Sequence, residues 1–211
     1  MVDSSVERAG AAWPAPSVLD RIARRPGDWH QAGTLTDEVI RRMDTLIREG
    51  FPSGLNASAE TGCGKTTLLL GCYSKRHLCF TLGADNNDGL TKVRESELLV
   101  SDRVKFIIGP SQITLQNHKW DCFLDFALIG GAHAYPFPEL DYFRFYQHLN
   151  SKAILVVDDI QIPTISHLYE FLREGDMFDF SALERFTVFF RRTAAPSFYP
   201  FGDKWWTRKY N

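Results

Sequence analysis

The sequence predicts an α/β fold whose mostly parallel sheet is covered by helices on both faces. Three observations carry that expectation. Short apolar runs recur along the chain: LCFTL, VKFII, FALI, AILVV and FTVFF, each of a length suited to a buried strand. Segments with helical spacing lie between them, ELDYFRFYQHL before AILVV and ISHLYEFLREG after it. A glycine turn, GCGKT, stands directly between a short small-residue strand and a helix.

The elements follow in order. Residues 1 to about 17 carry Ala, Gly, Pro and Ser without periodicity and read as a tail. Residues 1–33 are assigned to that tail and a short helix, and 34–211 to the main domain. In TLTDEVIRRMDTLIREG, Leu35, Val39, Ile40, Met43, Leu46 and Ile47 recur at helical spacing. Thr34 or Thr36 can cap its start, and Gly50 and Pro52 end it. GLNASAE reads as a strand, TTLLLGCYSK as the helix after the glycine turn, and the apolar runs as the strands that follow. The tail beyond FTVFF is rich in Pro and Trp. Ligands of such sheets sit beyond the carboxyl ends of the strands, so the loops there are the ones to read for chemistry.

Composition narrows the function classes. The chain has 211 residues, 44% hydrophobic and 24% charged, with a formal net charge of −2. That suits one domain with one sizeable core. No basic stripe argues for nucleic acid, and no polybasic cluster argues for anionic lipid. The longest apolar runs are too short to cross a bilayer, and the first residues do not read as a signal peptide. Cys63, Cys72, Cys79 and Cys122 show no C-x-x-C spacing, as expected for reduced thiols in a cytoplasmic protein.

The stretch AETGCGKTTLLL admits two chemistries. Read as A-x-x-x-x-G-K-T from Ala59, it is a relaxed P-loop, with Lys65 and Thr66 at the phosphate lysine and magnesium hydroxyl. AILVVDD would then supply an acid for Mg²⁺. Against this, Ala59 replaces the first glycine, and the preceding strand holds Asn56 and Ser58 where such a loop follows apolar residues. Read as E-x-G-x-G from Glu60 to Gly64, it is an acid followed by two glycines. These let the backbone turn tightly and approach a cofactor at a helix N-terminus. On this reading Lys65 is a solvated residue at the helix start.

The later strand ends decide between them. DFALIGGAHAYPFPELDYFRFYQHL followed by SKAILVVDDIQIPTISHLYEFL resembles the small-molecule class I methyltransferases. There, one strand ends I-D-G-x-H-x-Y and the next V-x-D-D. The match runs through Ile129, Gly131, His133 and Tyr135, then Val156, Val157, Asp158 and Asp159. VKFIIGPSQITL resembles the family's preceding strand and loop, and the ending FFRRTAAPSFYPFGDKWWTRKYN resembles members of the group. The resemblance covers roughly residues 50 to 211. It implies a Rossmann-like three-layer sandwich with a seven-stranded sheet, and methyl transfer from S-adenosyl-L-methionine to a small molecule, at oxygen.

The same resemblance implies the site. Glu60, Gly62, Cys63, Gly64, Thr66 and Thr67 would form the cofactor turn, Glu60 accepting from the cofactor's ammonium. Ser111 would lie beside the adenine, and Gly130 at the cofactor's edge. Two acids of the pattern are missing. Gly130 stands where the family has Asp, and FTLGADNND puts Gly83 where an acid grips the ribose. Asp85 is the expected substitute, Asp88 a weaker one. His133 could deprotonate an alcohol, with Asp158 and Asp159 beside it. One of these acids could orient His133 while the other caps a loop. Related oxygen methyltransferases use acids here to hold Mg²⁺, which this pattern permits but does not require. Tyr135, Phe137, Tyr142 and Phe143 are candidates for pocket or core. Trp205, Trp206 and Tyr210 could close over a substrate or pack on a second subunit, which leaves a homodimer open. The alternatives are a P-loop phosphotransferase and a cofactor-binding relative without activity.

Overall fold

The computed structural model of the chain describes residues 14–24, 35–83 and 88–195. Its elements are α1 (Pro16–Ala23), α2 (Asp37–Gly50), β1 (Leu55–Thr61), α3 (Lys65–Tyr73), β2 (Ser74–Thr81), α4 (Asp88–Arg94), β3 (Val104–Ile108), α5 (Ser111–Thr114), β4 (Leu124–Ile129), α6 (Phe137–Tyr146), β5 (Leu149–Val157), α7 (Pro163–Glu174), β6 (Phe178–Glu184) and β7 (Thr187–Arg192). The sheet runs β3-β2-β1-β4-β5-β7-β6. β1 to β5 pair in parallel, and β7 enters antiparallel between β5 and β6. The strand order reverses between β1 and β4, whose carboxyl ends therefore flank the crevice where such sheets bind ligands.

Strand alternation sends side chains into two cores. Leu55, Cys79, Phe126, Leu128, Ile154, Val156 and Phe189 meet α1 to α4 on one face. Ala57, Ala59, Leu78, Phe80, Ala127, Ile129, Leu155, Val157, Val188 and Phe190 meet α6 and α7 on the other. Adjacent residues on a strand point to opposite faces, so both faces of this sheet must be apolar, as the continuous run AILVV requires. The buried rings of Phe80, Phe126, Phe145, Phe189 and Phe190 each contribute about 1.5–3 kcal/mol of transfer free energy.

β6 departs from the expected pattern. FDFSALE leaves Phe180 and Leu183 exposed at the open edge of the sheet, so it lacks the apolar density of the buried strands. It forms because β7 offers an antiparallel partner two residues away. Tyr142 belongs to the core, whereas Tyr135 and Phe143 are exposed. Arg192 is buried. Its guanidinium lies over the Phe178 ring and donates to the carbonyls of Met177, Thr193 and Ala195. Among the described residues, no helix is long and apolar enough to cross a membrane. Asp85, Trp205, Trp206 and Tyr210 lie outside the described residues.

Candidate active site

β1 carries Ser58 and Glu60 on its α3 face, and both are fully buried. Their polar groups are satisfied by one another's neighbours. The Thr66 and Thr67 hydroxyls donate to the two oxygens of Glu60. His77 Nε2 lies 3.0 Å from Glu60 Oε1, and His77 Nδ1 lies 2.8 Å from Ser58 Oγ. Ser58 Oγ is 2.6 Å from Ser74 Oγ. This chain of hydrogen bonds explains a strand too polar for a simple core strand: it ties β1, β2 and α3 together. The Glu60 carboxylate, expected to accept from a ligand's ammonium, is held inside the core by Thr66, Thr67 and His77.

Above this network the chain turns at Gly62, with φ of +99°. A Cβ there would stand 2.8 Å from the Gly130 carbonyl oxygen, so only glycine fits. Gly64 differs: its φ of −179° suits any residue, and a Cβ would meet nothing within 4 Å. The backbone therefore does not need glycine at 64, but its absent side chain leaves room for a ligand to approach. The Gly64 N–H donates to Thr67 Oγ1 at 3.0 Å, and Cys63 is buried with its sulfur 3.7 Å from the same hydroxyl. Lys65 is not solvated. It is buried, and its Nζ donates to the Ala23 carbonyl at 2.8 Å, at the end of α1. Burial holds its pKa below the usual lysine value.

A cleft of about 300 Å³ opens at the carboxyl ends of β1, β2 and β4. Of the expected cofactor residues it is lined by Gly62, Ser111 and Gly130, together with Thr61, Phe80, Thr81, Leu82, Gly109, Pro110, Gln112, Gly131 and Ala132. A Cβ on Gly130 would meet Leu128 Cδ2 at 2.8 Å, and one on Gly131 would meet Thr61 Cβ at 3.0 Å. The cleft wall is thus close-packed at both glycines. β2 closes at Thr81 rather than at Gly83, so a hydroxyl and then Leu82 stand where the family pattern has an acid. Asp88 opens α4 and is exposed. Sequence reasoning missed Thr61, Gly109 and Gln112. A glycine directly after VKFII was the available signal for Gly109, which has φ of +137°.

The next two strand ends meet beside this cleft. His133 follows the lining residues Gly131 and Ala132, and its Nε2 lies 3.2 Å from Asp159 Oδ2. Thr164 Oγ1 donates to the His133 carbonyl at 2.5 Å and pins the loop to α7. Asp159 first, and Asp158 more weakly, raise the histidine's pKa above its ordinary value, while burial opposes them. Asp158 turns elsewhere and accepts from Thr187 Oγ1 at 2.5 Å. Burial pushes its pKa up to about 6. The two acids therefore divide the work, one facing the histidine and one anchoring β5 to β7. Among the described residues, no three His, Cys, Asp or Glu side chains converge as a metal site. With Gly130 in place of a carboxylate, the residues do not fit a magnesium centre.

Residues 59–160 match the family described as "Methyltransferase domain". The matched span includes the glycine turn, the cleft and the His133–Asp159 pair. This span, just under half of the chain, is similar to a methyltransferase domain. Solved structures agree on the fold. A provisionally assigned O-methyltransferase from Klebsiella pneumoniae is 16% identical, with a TM-score of 0.67 over 87% of this chain and 93% of its own. The O-methyltransferase from Bacillus cereus, solved with SAH, is 15% identical, with a TM-score of 0.62 over 85% and 92%. The O-methyltransferase TomG from Streptomyces achromogenes, solved with SAM, is 12% identical, with a TM-score of 0.62 over 86% and 92%. None of the curated proteins matches the chain in sequence. The P-loop alternative has no support. Lys65, which it needs at a phosphate, is buried and donates to the end of α1.

Proposed function

We propose that the domain methylates a hydroxyl of a small molecule, with His133 as the general base. The observation that carries this reading is the His133–Asp159 pair, 3.2 Å apart beside the cleft rim at Gly131 and Ala132. S-adenosylmethionine supplies, when bound, a methyl group on a sulfonium that an oxygen nucleophile can attack in line. Methyl transfer asks little else of a protein than orientation and a proton acceptor. Gly62, Gly130 and Gly131 bring the backbone to the cleft without side chains, and Gly64 keeps the α3 N-terminus open to a carboxylate. Ser111 and Gln112 offer polar groups to the adenine on the opposite wall. His133 takes the hydroxyl proton, and Asp159 orients its ring and stabilises the imidazolium that forms.

The wider expectations belong to the same reading. Four free thiols favour a reducing, cytoplasmic setting. A net charge of −2 favours neither nucleic acid nor an anionic lipid surface. Exposed Phe180, Leu183 and Phe186 near the open sheet edge make self-association into a homodimer worth testing by sedimentation.

Titration calorimetry with S-adenosylmethionine, S-adenosylhomocysteine and Mg-ATP tests the cofactor assignment. Binding of both adenosyl ligands without ATP is expected, and the reverse would sink it. A screen of phenols, sugars and amines then tests the acceptor. Turnover of amines alone would overturn the oxygen reading.

A further inference from the structure

The stretch DIQIP, from Asp159 to Pro163, joins β5 to α7. The Ile162 N–H donates to the Asp159 carbonyl at 2.9 Å and closes a four-residue turn. The Ile160 N–H donates to the Phe186 carbonyl at 3.0 Å, which ties the turn to the connection between β6 and β7. Ile160 and Ile162 pack against the core beneath α6 and α7. Gln161, between them, is exposed, and its Nε2 donates back to Asp159 Oδ1 at 2.8 Å. A carboxylate only accepts, so the amide must turn its nitrogen to it. The other oxygen, Asp159 Oδ2, is the one 3.2 Å from His133 Nε2. The carboxylate thus stands between Gln161 and the histidine, one oxygen to each.

A neutral imidazole carries its proton on one nitrogen and a lone pair on the other. His133 Nε2 is enclosed, and among the described residues Asp159 is its one ion-pair partner. The side chain is 28% exposed, and that exposure excludes Nε2. The approach is off the line of an ideal hydrogen bond, but its sign does not depend on alignment. A lone pair on Nε2 would face the carboxylate's own lone pairs, whereas a proton there faces negative charge. Gln161 keeps that charge in place, since a carboxylate that turned away from His133 would lose the amide.

We propose that Gln161 is a positioning residue that locks the Asp159 carboxylate, so that His133 keeps its proton on Nε2 and presents the Nδ1 lone pair as the base. This rests on the general-base reading above, and adds to it the tautomer and the residue that selects it. The substrate hydroxyl gives its proton to Nδ1, and the ring becomes an imidazolium whose Nε2–H stays on Asp159. Gln161 acts only through Asp159, two residues before it.

The test reads the tautomer by nitrogen NMR of the full chain with labelled histidine. The His133 signals are assigned by their loss in His133→Gln. Spectra are taken above the ring's raised pKa, where it is neutral. The wild type should hold the Nε2–H form in at least about tenfold excess. Gln161→Ala removes the donor, and Gln161→Glu keeps the length but cannot donate and repels Asp159. Both should lower the excess about threefold or more. A role in packing alone would spare Gln161→Glu. An excess unchanged in both variants overturns the proposal, as does a wild-type ring protonated on Nδ1, and either result leaves the base reading standing. Full turnover by His133→Gln in the acceptor screen would overturn the base reading itself, and this proposal with it.

Discussion

Asp159 lies 3.2 Å from His133 with its own backbone in the left-handed region, at φ of +59°. Aspartate tolerates that conformation better than most side chains. The turn at the end of β5 thereby points successive acids in different directions, Asp159 to His133 and Asp158 to Thr187.

This arrangement makes a pH prediction. A general base acts when unprotonated, and Asp159 raises the pKa of His133 above 6.5. The acid limb of kcat/KM should therefore fall above pH 6.5. Asp159→Asn removes the largest cause of the shift, so the limb should move to lower pH. His133→Ala should lower kcat by about 10²–10⁴ with the fold intact. A limb that stays in place in Asp159→Asn would count against the pair.

The glycines separate backbone need from ligand need. Gly62→Ala puts a Cβ 2.8 Å from the Gly130 carbonyl at a φ that side chains avoid. It should cost about 1–3 kcal/mol and lower Tm. Gly64→Leu meets open space, so its Tm should hold while affinity for S-adenosylhomocysteine falls about tenfold or more. Equal effects of the two variants on Tm would contradict the geometry.

The pair of Glu60 and His77 is fully buried and joined by the Thr66 and Thr67 hydroxyls. Removing Glu60 leaves the Thr66 and Thr67 hydroxyls and His77 Nε2 without their partner in the core. Glu60→Ala should cost about 1–3 kcal/mol or more, read by urea unfolding. A loss below about 1 kcal/mol would mean that the network does not hold β1, β2 and α3 together.

Asp141 should make its presence felt in stability. Its folded pKa is raised from 3.8 to about 6. The folded state then holds its proton more tightly than the unfolded chain. The wild type should lose stability as pH rises from about 4 to about 6, on the order of 2–3 kcal/mol in all. Asp141→Asn lacks this loss. Its Tm advantage over the wild type should be present at pH 8 and gone below about pH 4.

Much of this protein is legible in the order of its residues. Apolar runs such as VKFII and AILVV mark buried parallel strands because both of their faces must be apolar. The spacing of Val39, Ile40, Met43, Leu46 and Ile47 marks α2 because a helix packs one face. His133, Asp158 and Asp159 stand out because loops at strand carboxyl ends converge, and the strands are recognisable. Direction and depth are another matter, and the sequence does not decide them. Glu60 reads as a ligand-binding acid until β2 brings His77 beside it, 17 residues along the chain. Lys65 reads as solvated until α1, 42 residues earlier, covers it. Side-chain periodicity is local and survives in one dimension. The partner of a buried polar group comes from a distant segment, so only the assembled fold assigns it.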